Sequence, residues 1–246
     1  MASPLKPTGE QFVELYVIVV FTIVIFALWV LPLFSVLINP LKLFTIGWHE
    51  LCHVAAAIMS GGTIISICID PHLGGSTRVM DGKPVVILCA GYIGSTLLGG
   101  LFVLASWSVL GSKIVSFIIG FGLIAPVVIV RDLFTLLCII GYEGLLVGFW
   151  FLEHGQGLRW YVLFVGVMNI LYVVWDVIDE RVYKKQNSSD ALQFHLLFPD
   201  IPSYVVAWLW ILFELTVFVA FILIGLVAFK QSNAQMNEQA SNFLPT

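Results

Sequence analysis

His49 and His53 stand four residues apart in His49-Glu50-Leu51-Cys52-His53. On an α-helix that spacing puts both imidazoles on one face, one turn apart. Two ring nitrogens can then reach a single zinc ion while Glu50 serves as general base toward water, which is the residue set of zinc-dependent peptide hydrolysis. The surrounding stretch is apolar, and this sharpens the reading. In water the three polar residues could simply be packed, but in hydrocarbon two imidazoles and a carboxylate within five positions are costly unless they bind something. Cys52 lies between them in sequence but points off the histidine face.

Hydrolytic zinc needs a third protein ligand and an open position, and here that ligand must come from far along the chain. His72, His154 and His195 fall in expected loops, where a solvated histidine is the ordinary outcome, and Asp132 sits beside Arg131 as its ion-pair partner. Asp176 is different, because it follows the uncharged run Trp160 to Trp175 and is reached before that helix leaves the membrane. It is the preferred third ligand, with Asp179 and Asp190 as alternatives.

The elements that must position these groups are membrane helices. Of 246 residues, 60% are hydrophobic and 11% charged, too few charges to cover a soluble core of this size, so the chain reads as an all-α polytopic membrane protein. Its net charge of -4 says little about partners, and no basic patch for nucleic acid is visible. Charges fall at the ends of apolar runs, which places spans near 13 to 38, 41 to 60, 84 to 110, 114 to 130, 133 to 152, 159 to 179 and 203 to 229. The count is six or seven, since 114 to 152 could be a re-entrant hairpin. Residues 1-230 read as a single membrane-embedded metallopeptidase-like domain and 231-246 as a disordered polar tail. Cys52, Cys68, Cys89 and Cys138 lack metal-ligand spacing and read as small buried hydrophobes.

Ser60-Gly61-Gly62 stops the motif helix, and the β-branched run Thr63 to Ile69 is too short to span as one. A turn around Asp70 to Gly75 and a return over Ser76 to Met80 make a small β-hairpin. Such backbone is tolerated near a membrane where it lines a cavity. Thr63, Ile65, Ile67, Gly74 and Gly75 are therefore candidate substrate-binding positions, able to hold an unwound peptide by strand addition. On the next helix, Ala90-Gly91-Tyr92-Ile93-Gly94-Ser95 and Gly99-Gly100 set small residues at helical spacing for close packing.

Together, Gly47-Trp48-His49-Glu50-Leu51-Cys52-His53, Asp70-Pro71 with Gly74-Gly75-Ser76-Thr77-Arg78, Ala90 to Ser95, Trp175-Asp176 and Ser189-Asp190-Ala191 make residues 45 to 205 resemble the site-2-protease-like intramembrane zinc metallopeptidases, in the peptidase-like branch of fungi and bacteria. The resemblance implies zinc on His49 and His53, Glu50 as general base, and cleavage of a membrane-protein substrate, such as a transmembrane segment, in or near the bilayer. Better-known members place the third ligand in Asn-Pro-Asp-Gly or Leu-Asp-Gly. This sequence has neither, so Asp176 is matched by position and chemistry. Two other classes use similar residues: a catalytically silent membrane scaffold or chaperone, which would not need Glu50, and a metal transporter, which would need a relay of intramembrane carboxylates. Glu14, Glu143, Glu153 and Glu214 are too dispersed to form one.

With seven spans, seven of the 11 Lys and Arg residues share the N-terminal side, which places the N-terminus and the 180-202 loop in the cytosol. In a eukaryote the setting would be an endomembrane such as the endoplasmic reticulum. Asn187-Ser188-Ser189 is then a glycosylation acceptor on the wrong side. Expressed in a eukaryotic secretory membrane, the protein should carry no glycosidase-sensitive mass at Asn187, whereas an acceptor engineered after Lys230 should be modified. The reverse pattern inverts the topology.

Overall fold

The computed structural model describes residues 5–70, 74–128, 133–181 and 189–243. Its helices are α1 (Gly9–Val30), α2 (Pro32–Ser35), α3 (Asn39–Met59), α4 (Pro84–Ala105), α5 (Val109–Ile124), α6 (Leu133–Phe151), α7 (Gln156–Ile170), α8 (Tyr172–Arg181), α9 (Asp190–Leu197), α10 (Ser203–Ala228) and α11 (Asn233–Phe243). Between α3 and α4 lie two antiparallel strands, β1 (Thr63–Asp70) and β2 (Gly74–Met80), in a register running from Thr63 opposite Met80 to Asp70 opposite Gly74. The chain is an all-α polytopic membrane protein with one small hairpin.

Among the described residues, five helical segments are long and apolar enough to cross a bilayer. One of them, Leu133–Ile170, folds back on itself. Glu153, His154 and Gly155 all have positive φ there, and the reversal packs Phe149 of α6 against Tyr161 of α7. The motif helix α3 is not among the five, since Lys42, His49, Glu50 and His53 lower its hydropathy. It starts with a proline in its first turn, where the missing N–H would have had no partner.

The core is built around α4 and α7, whose backbones meet through glycines. A methyl on Gly99 would collide with the backbone of Ile170, and one on Gly166 would stand 2.8 Å from the amide nitrogen of Val103. Close approach of this kind is what small residues provide where hydrocarbon gives no drive for helices to associate. Trp29 of α1 stacks on Trp175 of α8, ring centroids 5.3 Å apart.

Three polar arrangements inside the bundle were invisible in the chain. Arg159 pairs with Glu14 at 2.8 Å, both buried, and its Nε donates to the carbonyl of Ser106 while the Ser106 hydroxyl donates to Glu14. Lys42 is buried with its ammonium 4.5 Å over the ring of Trp29, whose indole N–H donates to Asp179. Glu214, fully buried on α10, accepts the amide N–H of Val173 at 2.6 Å. That bond meets a donor freed where the expected single helix of 159 to 179 breaks into α7 and α8.

Two expectations change. The segment after Lys230, read as a disordered tail, is helical over Asn233–Phe243. It docks on α5 by burying Met236 and Ala240 against Val109, and Lys113 Nζ donates to the carbonyl of Ala240. Met236 and Ala240 fall four apart, enough for one contact stripe that a composition average hides. Cys68 is exposed on β1, not buried, while the other three cysteines are half-buried.

Candidate metal centre

Both motif histidines are buried on α3, and each ring is oriented by its far nitrogen. His53 Nδ1 lies 2.7 Å from the carbonyl oxygen of Ile87, which can only accept, so this nitrogen carries the proton and Nε2 is left with a lone pair. His49 Nδ1 faces Ser95 Oγ at 3.4 Å, and that hydroxyl already donates to the carbonyl of Gly91. Both Nε2 atoms then point to one spot, 2.9 Å apart. Helix α4 can approach so closely because residue 91 is glycine. A methyl there would sit 2.5 Å from atoms of both imidazoles.

The third group at that spot is Asp190, the first residue of α9. Its Oδ2 lies 3.2 Å from Nε2 of each histidine. Neither approach is aligned as a hydrogen bond, so the oxygen is a buried acceptor with no partner among the described residues. Ser189 caps α9 by accepting the N–H of Leu192, and its own N–H donates to Glu180 on α8. The helix start that carries Asp190 is thus tied to the neighbouring element.

Asp176, the sequence expectation for this position, lines the same cavity but turns its carboxylate to Tyr92, whose hydroxyl donates to it at 2.6 Å. Asp179, the other alternative on α8, is held by Trp29. His195 bonds the carbonyl of Ile201 at the surface, and His72 and Asp132 lie outside the described residues. Asp190 stands behind Asp176 as an alternative in the sequence because it follows a polar loop, and nothing local shows that α9 returns to the α3 face.

Glu50 is buried beside the cluster, with a carboxylate oxygen within 4.8 Å of the histidine nitrogens. Thr77 of β2 donates to its Oε2 at 2.5 Å, and Gly75 leaves room for its Oε1, which a β-carbon there would overlap. The centre opens on a cavity of about 590 Å³ lined by the five consecutive residues Gly75 to Val79. Side chains alternate along a strand, so five in a row can line one wall only if the backbone edge of β2 faces it. Of the hairpin candidates, Ile65 and Gly75 line the cavity, while Thr63, Ile67 and Gly74 are outside its lining.

A model of the Peptidase M50B-like family matches residues 17–225. The chain belongs to that family. No curated protein and no solved structure matches it. Membership makes this M50B-like chain a membrane protein of metallopeptidase type, and M50 peptidases are zinc-dependent. The donors fit that metal. Ligand atoms on one tetrahedral zinc at 2.0–2.1 Å stand roughly 3.3 Å apart, close to the spacing of the two Nε2 atoms and Oδ2. Two lone-pair nitrogens and an unbonded carboxylate oxygen are mutually repulsive unless a cation lies between them.

Two glycines of this M50B-like site separate metal binding from base placement. Gly91→Ala should displace both imidazoles and lower the zinc content measured by elemental analysis. Gly75→Ala should leave zinc in place but shift Glu50, and a misplacement of about 1 Å can cost on the order of 10²-fold in rate. Equal zinc loss in both variants would contradict this division.

Proposed function

We propose that this protein is an intramembrane zinc metallopeptidase that hydrolyses a peptide bond of a membrane-protein substrate within or near the bilayer. His49, His53 and Asp190 hold the metal, and Glu50 is the general base. The observation that carries the reading is the convergence of the two Nε2 atoms and Asp190 Oδ2 within 3.2 Å, beside a carboxylate that is not needed to hold them.

When bound, zinc polarises the substrate carbonyl and makes water a stronger acid. The chain supplies the rest. The open edge of β2 pairs with an unwound substrate segment, giving main-chain hydrogen bonds that do not depend on sequence. Glu50, steadied by Thr77, takes a proton from the attacking water and delivers it to the departing amine nitrogen. Asp176 and Tyr92 form a polar pair behind His49, whose ring lies 5.3 Å from that of Tyr92. The partners are a transmembrane segment as substrate and the lipid bilayer. The N-terminus and the 180-202 loop lie on the cytosolic side.

Zinc content and peptide cleavage of purified variants test this. Asp190→Ala should lose zinc, whereas Asp176→Ala should retain it. Glu50→Gln should keep the metal and lose about 10²- to 10⁴-fold in rate, because an amide conserves shape but cannot accept the proton. Zinc lost from Asp176→Ala and kept by Asp190→Ala would return the ligand role to Asp176. A Glu50→Gln protein as fast as wild type would remove the hydrolase reading.

A further inference from the structure

We propose that Tyr172 is a further catalytic residue of this site, whose hydroxyl donates a hydrogen bond to the substrate oxygen that becomes anionic during hydrolysis. The inference rests on the peptidase reading above and names a group that reading lacks. When water adds, a new C–O bond forms, the π electron pair of the carbonyl moves onto its oxygen, and one water proton passes to Glu50. Collapse returns that pair to carbon, breaks the C–N bond, and sends the proton from Glu50 to the leaving nitrogen. Between these events an oxyanion exists. A donor already aimed at it, in a site that need not reorganise, stabilises it most.

Few cavity-lining groups can supply that donor. The hydroxyl of Thr77 is given to Glu50, that of Ser189 caps α9, Arg78 and Gln193 are exposed, and Ser76 alternates with Thr77 along β2 and so lies on the strand face away from Glu50. Two tyrosines flank His49. Tyr92 has its hydroxyl committed to Asp176 and is absent from the cavity lining. Tyr172 lines the cavity with its ring centroid 4.5 Å from that of His49, and its hydroxyl bonds no described residue. Only 3% of the residue is exposed, so the ring is held in place while the hydroxyl is not among the buried atoms lacking a partner. It therefore opens on the cavity. Its backbone is fixed as well: Tyr172 opens α8, where Glu214 of α10 holds the next amide at 2.6 Å. A buried carboxylate spent on one backbone break, one residue from a cavity-facing hydroxyl, is a reason for the break to be where it is.

The test uses Tyr172→Phe, which removes the hydroxyl and keeps the ring against His49. Three readouts are taken on the full chain: zinc content, kcat and KM for a fluorogenic peptide that the wild type cleaves, and binding of the phosphinic peptide with tetrahedral phosphorus at the scissile position. Expected are unchanged zinc, little change in KM, a 10²- to 10³-fold fall in kcat, and weaker phosphinic-peptide binding. Binding of the uncleaved peptide to Glu50→Gln and to Glu50→Gln/Tyr172→Phe should be equal, since the bond forms only as charge develops. A kcat near that of wild type overturns the proposal, and so does a fall in kcat matched by zinc loss, which would mark a structural role. If the wild type cleaves no peptide in a zinc-dependent way, the peptidase reading fails and this inference with it.

Discussion

Three buried acceptors, the Nε2 atoms of His49 and His53 and the Oδ2 of Asp190, face one another at 2.9 to 3.2 Å. Each would be well solvated in water. Brought together inside a membrane protein they repel, and a low-dielectric setting amplifies that repulsion. A cation between them turns the arrangement from costly to favourable. Much of the surrounding structure serves to keep the acceptors aimed at this point, through the carbonyl of Ile87 behind His53, Ser95 behind His49, and Ser189 and Glu180 behind Asp190. Partners of this kind fix tautomer and ring orientation, and so decide whether a metal is bound.

Positioning also depends on how closely backbones can approach. Gly91 lets α4 press on the histidine face, and Gly75 lets β2 lie against Glu50. The hairpin is seated by Ile64 and Val79 against Ala56, Ala57 and Ile87, which leaves the other edge of β2 on the cavity. Farther away, the Glu14–Arg159 ion pair and the hydrogen bond from the Val173 amide to Glu214 place ionisable groups inside the bundle. An unmatched buried charge is strongly unfavourable, so these pairs limit how the helices can be arranged around the centre.

What could be read from the chain was what is local. Histidines four apart on a helix share a face whatever the rest of the fold does, and a β-branched run after Gly61-Gly62 announces a strand. Asp190 could not be read in this way. It begins a short helix beyond a polar loop, and its arrival at the histidines depends on α9 packing against α4 and α10, for which one sequence carries no signal. Asp176 had the better local argument, a carboxylate inside an apolar run, and its burial is explained by Tyr92 instead. Glu214 and Glu14 likewise read as dispersed carboxylates because their partners are 41 and 145 residues away. The tail after Lys230 misled through composition, since two buried residues one helical turn apart suffice to dock it.

The metal's coordination shell tests the central claim most directly. X-ray absorption at the zinc K-edge of the purified protein should show two imidazole nitrogens with oxygen donors and no sulfur, all at about 2.0–2.2 Å. A scatterer near 2.3 Å, the distance of a thiolate, or a protein that binds no zinc would contradict the account.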